Sequence, residues 1–140
     1  MKLFLDASVL LAACGRAAGG SRAVCDLAAA QGWRLQAGEY VMREVERNVS
    51  RRLPPAAQDE WQRLLPRLEV VADVLTFEWP VVFPAAKDRP VLFTAAATAD
   101  VLLTLDRADF GGVMVAGFYG LPVMKPGDFL RRERAAGRLI

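Results

Sequence analysis

A chain of 140 residues with 54% hydrophobic side chains is long enough for a sizeable core and too apolar to be disordered. Its net charge of +2 and pI near 8.8 are a mild bias that does not by itself mark a nucleic-acid partner. No apolar run approaches the roughly 20 residues that a membrane span needs, and Asp6 interrupts the stretch that would be the apolar centre of a secretory signal, so a cytoplasmic protein without membrane contact is expected. The chain has no His, and Cys14 and Cys25 have no ligand-like neighbours. Zinc sites and a His base are thereby excluded, and any hydrolysis must rest on carboxylates, hydroxyls, Lys or Arg.

In chain order, Lys2 to Leu5 reads as a strand that runs into Asp6, with Ser8 placed to cap a helix from Val9 to Ala13. After the break at Gly19-Gly20, Ser21 is expected to cap an Ala-rich helix to Gln31, with Gly32 as its C-terminal stop. Residues 33–37 form a short strand between glycines. Val41, Val45 and Val49 recur every four residues and predict a helix over 39–53, ended by Pro54-Pro55. A second amphipathic stretch covers 56–68, and 69–75 is a strand. Residues 76–87 read as a loop whose Phe77, Trp79, Val81, Val82 and Phe83 form an exposed apolar patch suited to a homodimer. A helix over 88–99 carries Pro90 in its first turn and Asp88 at its cap position.

The continuous apolar run Val101 to Leu105 has the character of a strand buried on both faces, and it ends in Asp106 with Asp109 three residues on. Residues 111–119 are ambiguous between strand and loop. Residues 121–124 are a last strand, and Asp128 opens a basic C-terminal helix. Strands alternating with helices predict a three-layer α/β/α sandwich around a mainly parallel sheet, in one domain over 1–140, with no repeat or linker to divide it.

Chemistry in an open α/β sheet sits beyond the carboxyl ends of its strands, which is where Asp6 and Asp106 fall. Neither acid gains anything from a cap in this reading. Asp88, Asp109 and Glu44 each have a bland alternative as a cap, a turn residue and a solvated helix acid. Glu44 and Glu46 both flank the valine stripe, and spacing does not choose between them. Carboxylates packed together raise one another's pKa, a conflict that a hard divalent cation with oxygen ligands removes. Arg43, Arg47 and Arg51 share one helix face, and Arg89 and Arg107 neighbour the acids, as cations beside a polyanion site should. The arginines of the C-terminal helix are assigned to solubility or partner binding.

At these residues the chain resembles a PIN domain, the nuclease fold of VapC-type toxins. The match runs through Leu3-Phe4-Leu5-Asp6-Ala7-Ser8, then Val41-Met42-Arg43-Glu44, then Asp88-Arg89-Pro90. Its most specific part is Ala99-Asp100 followed by Leu103-Thr104-Leu105-Asp106 and Asp109-Phe110, and Gly120 to Leu130 resembles the closing strand and helix. Ser8 stands where the family often has Asn, and Leu105 where many members have Gly or a polar residue.

The resemblance implies an endoribonuclease dependent on Mg²⁺ or Mn²⁺, the toxin of a toxin–antitoxin pair. It implies catalytic roles for Asp6, Glu44, Asp88 and Asp106 and a metal held by Asp6, Asp88, Asp106 and Asp109, and it makes Glu44 the choice over Glu46. Ser8 and Thr104 would orient carboxylates or water from behind, and Arg43, Arg47, Arg89 and Arg107 would hold RNA. The expected partners are RNA, a protein antitoxin and a second copy of the chain. The competing reading is a PIN-fold interaction protein without catalysis. A phosphate-transfer receiver domain fits the positions of Asp88, Asp106 and Asp109 poorly.

Overall fold

The computed structural model describes residues 1–139. Five apolar segments form one sheet: β1 (Lys2–Leu5), β2 (Arg34–Gly38), β3 (Leu68–Val71), β4 (Val101–Leu103) and β5 (Val123–Met124). All four pairings are parallel, in the order β3-β2-β1-β4-β5. The expected neighbours are paired directly, with Leu3, Phe4 and Leu5 in register with Val101, Leu102 and Leu103. These six side chains are essentially inaccessible, as strands covered on both faces require.

Among the described residues seven helices cover the sheet: α1 (Ala7–Gly15), α2 (Gly20–Gln31), α3 (Glu39–Arg52), α4 (Pro55–Leu64), α5 (Arg89–Thr98), α6 (Arg107–Ala116) and α7 (Pro126–Ala135). Right-handed crossovers put α1 to α4 on one face, where α7 joins them against α2. The reversed direction of travel from β3 to β4 and on to β5 puts α5 and α6 on the other face. The result is the three-layer α/β/α arrangement.

Several local expectations are corrected. The helix expected over 56–68 stops at Leu64, because Pro66 forces a 3-10 turn at Leu65–Arg67, and the strand then begins at Leu68 and ends at Val71. Residues 111–119 are neither strand nor plain loop. Helix α6 runs through Gly111 and Gly112 to Ala116, held by the buried Phe110 and Val113 on its inner face. A tight turn then reverses the chain at Tyr119 and Gly120, both at positive φ (48° and 82°), and Phe118 and Leu121 exchange backbone hydrogen bonds across it. Ser21 does not cap α2, because the cap position is Gly19, and the C-terminal helix begins at Pro126 rather than Asp128. Gly32 ends α2 in the left-handed conformation, as expected.

The aromatic loop is half spent on the core. Phe77 packs on Phe93 and Phe118 with ring centroids 5.4 and 4.8 Å apart, and Phe83 is buried against Phe110 at 5.2 Å. Only Trp79 and Val82 remain well exposed, so the expected five-residue apolar surface shrinks to two.

Candidate active site

The sheet order makes the chain leave β1 toward β2 and leave β4 toward β5, in opposite directions. That is the topological switch at which an open α/β sheet forms a crevice beyond its strand ends. Asp6 follows β1 directly and Asp106 follows β4 by three residues, so pairing β1 with β4 delivers both acids to that crevice.

Asp6 is buried, 6% exposed, and its carboxylate is enclosed by donors. Oδ1 accepts from the Ala7 N–H at 2.8 Å, and Oδ2 accepts from Ser8 Oγ at 2.9 Å and Thr104 Oγ1 at 2.8 Å. The two hydroxyls are themselves fixed by backbone: the Leu105 N–H donates to Ser8 Oγ at 3.0 Å and the Asp106 N–H to Thr104 Oγ1 at 3.1 Å. Burial nevertheless outweighs these bonds and pushes the Asp6 pKa up. Ser8 and Thr104 thus stand behind an acid, tying β1 to the segment after β4.

Which acids act as caps is the reverse of the sequence expectation. Asp6 is the N-cap of α1 in place of Ser8, and Asp106 is the N-cap of α6, its Oδ1 accepting from the Asp109 N–H at 3.0 Å. Asp88 occupies the cap position of α5 but makes no cap bond, because a 3-10 turn at Ala86–Asp88 leads into the helix and turns its side chain elsewhere. Asp88 Oδ2 is buried, and no donor of the described residues reaches it.

Asp88, Asp106 and Asp109 each place a carboxylate oxygen within 4.8 Å of the others. Burial first, and then a proton shared with Asp109, push the Asp88 pKa up to about 7. The same shared proton holds Asp109 below its ordinary value, and Lys87 Nζ, 3.5 Å from Asp109 Oδ2, acts in the same direction. A buried oxygen that only a proton or a cation can satisfy, beside two further carboxylates and no soft ligand, is a donor set that fits a hard divalent ion.

A cleft of about 490 Å³ opens over these groups. Asp6, Glu44, Asp88 and Asp106 line it with Arg47, Arg51, Arg52 and Lys87, so four acids face four cations. Glu44 reaches it because it lies one turn before Asn48 on the half-buried side of α3, and burial and the nearby Asp6 both push its pKa up. Glu46 lies in a separate groove along α3 with Tyr40 and Arg43. The geometry therefore favours Glu44.

Leu105, 40% exposed, does not line the cleft; its side chain belongs to a neighbouring pocket, so it leaves the acids open.

The arginines divide. Arg47 and Arg51 line both the acid cleft and the groove along α3, whereas Arg43 lies in the groove only. Arg89 is spent on the fold: its Nε and Nη2 donate to the Phe83 carbonyl at 3.3 and 3.1 Å. Arg107 is exposed at the start of α6 and lines neither concavity. Sequence reasoning missed Asp73, whose carboxylate accepts from the Tyr40 N–H and so caps α3 from just beyond the neighbouring strand β3, and no local spacing signals that.

No family model matches the chain, and no curated protein matches it. Among solved structures the fold is similar to a chain of the crystal structure of VapBC2 from Rickettsia felis bound to a DNA fragment from their promoter. The two share 16% sequence identity over 88% of this chain and 97% of that one, with a TM-score of 0.60. No described helix is long and apolar enough to cross a membrane. Over nearly its whole length, then, the chain has the fold of that VapBC2 chain, a PIN-like three-layer α/β/α sandwich.

Proposed function

We propose that this protein is a Mg²⁺- or Mn²⁺-dependent endoribonuclease and the toxin member of a toxin–antitoxin pair. The observation that carries the reading is the gathering of Asp88, Asp106 and Asp109 at the β1/β4 switch point, with a buried Asp88 oxygen that lacks any donor. The likeness to a VapBC2 structure supports the toxin–antitoxin role and a protein antitoxin as partner.

Asp88, Asp106 and Asp109 would hold the cation; Asp6, expected as a fourth ligand, lies outside that group of three and lines the cleft beside it, its Oδ1 keeping one lone pair beyond its cap bond. A divalent cation there supplies Lewis acidity and positive charge beside a phosphodiester. The chain's own groups do the rest. Glu44, raised by burial, accepts a proton from water at the cleft wall. Ser8 and Thr104 hold Asp6 in one orientation. Arg47, Arg51, Arg52 and Lys87 bind the phosphates of the strand and offset the charge of the acids.

The test is RNA cleavage by wild type and Asp106→Asn from identical purifications, with Mg²⁺, Mn²⁺ or EDTA. Cleavage by wild type alone, and only with metal, is expected. Activity that persists in EDTA or in Asp106→Asn would refute the assignment.

A further inference from the structure

Helix α3 carries one residue that its own stability does not call for. Asn48 sits in the interior of the helix, where a short polar amide is a poor helix former because it competes for backbone groups. Here it does so: Nδ2 donates to the Glu44 carbonyl, one turn earlier, at 2.7 Å, a back-bond that does not strengthen a helix. Residues that break a local rule without an evident structural gain belong to functional sites, and Asn48 lines the acid cleft. The bond has one consequence. The atom that donates to a carbonyl must be the nitrogen, so it fixes which end of the amide is which. Oδ1 and the second N–H of Nδ2, an acceptor beside a donor, have no partner among the described residues.

The surroundings of this amide are ordered along the helix. Glu44, Asn48 and Arg52 recur every four residues and line the cleft together, with Arg47 and Arg51 in the row beside them. From Glu44 to Arg52 the helix rises about 12 Å. An acid, an amide and a cation therefore succeed one another along one side of the cleft, with the amide between the place for chemistry and the place for a phosphate. Helix α1 contributes Ala7, Ser8 and Leu11 to the same cleft, and none of them is charged. Leu11 is only partly buried, so it offers an apolar face to whatever lies in the cleft.

We infer that Asn48 is a specificity-determining residue that reads one base of the RNA strand, the base between the phosphodiester at the acids and a second phosphate at Arg51 and Arg52, with Leu11 against its ring. That the strand is RNA rests on the ribonuclease reading. A carboxamide makes two parallel hydrogen bonds to a base edge that presents a donor next to an acceptor. Adenine alone offers such a pair on its Hoogsteen edge, N6–H beside N7, as well as on its Watson–Crick edge, so adenine is the base assigned to this position. In duplex RNA the Watson–Crick edge is paired and the major groove is too deep and narrow for side chains, so the strand that Asn48 reads is single.

The experiment measures binding of short fluorescein-labelled oligomers of adenylate, cytidylate and uridylate by fluorescence anisotropy, in EDTA, across a salt series. Wild type should bind the adenylate oligomer roughly fivefold or more tighter than the other two. Asn48→Ala should bring the three affinities together and leave the slope of log K against log salt as it was, because no charge is lost. Its melting temperature should not fall, since Ala is the better helix former. Arg52→Ala should instead weaken all three oligomers alike and flatten the slope by about 0.7, the value for one single-strand phosphate contact. No preference in wild type, a preference kept in Asn48→Ala, a loss in that variant shared equally by the three oligomers, or no RNA binding at all would each overturn the assignment. Wild type that prefers adenylate in EDTA yet leaves RNA intact with Mg²⁺ would sink the nuclease reading and keep the base contact; cleavage with Mg²⁺ by wild type that binds all three alike would do the reverse.

Discussion

Replacing Asp6 by Asn should make the metal-free protein more stable while removing its activity. The amide keeps the shape, and its Oδ1 still accepts from the Ala7 N–H, so the cap of α1 survives. What changes is Oδ2, which becomes a donor toward Ser8 Oγ and Thr104 Oγ1. Each hydroxyl already accepts one backbone N–H and has a second lone pair for the amide. Two charge-assisted bonds are thus exchanged for two neutral ones and the two hydroxyl protons lose their acceptor, a loss of at least about 1–2 kcal/mol.

Against that loss stands the removal of a buried anion. The wild-type pKa of Asp6 is raised even with all three bonds in place, so burial already exceeds what the donors return. A folded pKa above the unfolded one favours the fold while the group is protonated, and that advantage disappears as the pH rises through the folded value. Near neutral pH the ionised Asp6 is therefore a net cost, about 1.4 kcal/mol for every tenfold by which folding tightens its hold on the proton. We expect Asp6→Asn to melt about 3–4 °C higher in EDTA at neutral pH for each kcal/mol recovered. The gap should shrink as the pH falls through the raised folded pKa of Asp6, where the wild-type group takes up its proton. Thermal melts in EDTA across that range decide it. A lower melting temperature for Asp6→Asn at neutral pH would mean that the hydroxyl bonds outweigh burial, and the electrostatic account of the site would be wrong.

Further expectations follow from the same geometry. Asp88, with its pKa near 7, favours the metal-free fold below about pH 4 and withdraws that support as the pH rises through 7; because the cation competes for the ionised form, the Mg²⁺-induced rise in melting temperature should be small at acid pH and grow up to about pH 8. A rise equal at all pH values would refute this. Thr104→Val leaves Asp6 with one hydroxyl and the Asp106 N–H without its acceptor, and cleavage should fall on the order of 10–100-fold with the fold intact by circular dichroism. Arg47→Ala should weaken RNA binding at unchanged thermal stability, whereas Arg89→Ala should lower the melting temperature and leave RNA affinity as it was, because its guanidinium serves the Phe83 carbonyl. Anisotropy and melts on the two variants check the pair.

Much of this was legible in the sequence for one physical reason. Strands β1 and β4 are covered on both faces, so each reads as an unbroken apolar run, and an acid at the end of such a run stands out. That located Asp6 and Asp106 and predicted their pairing. The caps were misread because they depend on how the chain turns after the strand, which composition does not reveal. Asp6 and Asp106 take cap bonds, while the 3-10 turn before α5 frees Asp88 from one. Helix α6 was obscured by Gly111-Gly112, a pair that reads as a break but is tolerated where Phe110 and Val113 anchor the helix to the core. Asp73 and Arg89 act on partners distant in space or on a backbone carbonyl, and neither leaves a trace in local spacing.

The central claim is that the donorless Asp88 oxygen and its two neighbours form a cation site, and Mn²⁺ titration followed by electron paramagnetic resonance tests it most directly. Wild type should bind Mn²⁺ stoichiometrically, Mg²⁺ should compete, and Asp88→Asn should lose that binding while remaining folded. Unchanged Mn²⁺ affinity in Asp88→Asn, or no Mn²⁺ binding by wild type at neutral pH, would contradict the account.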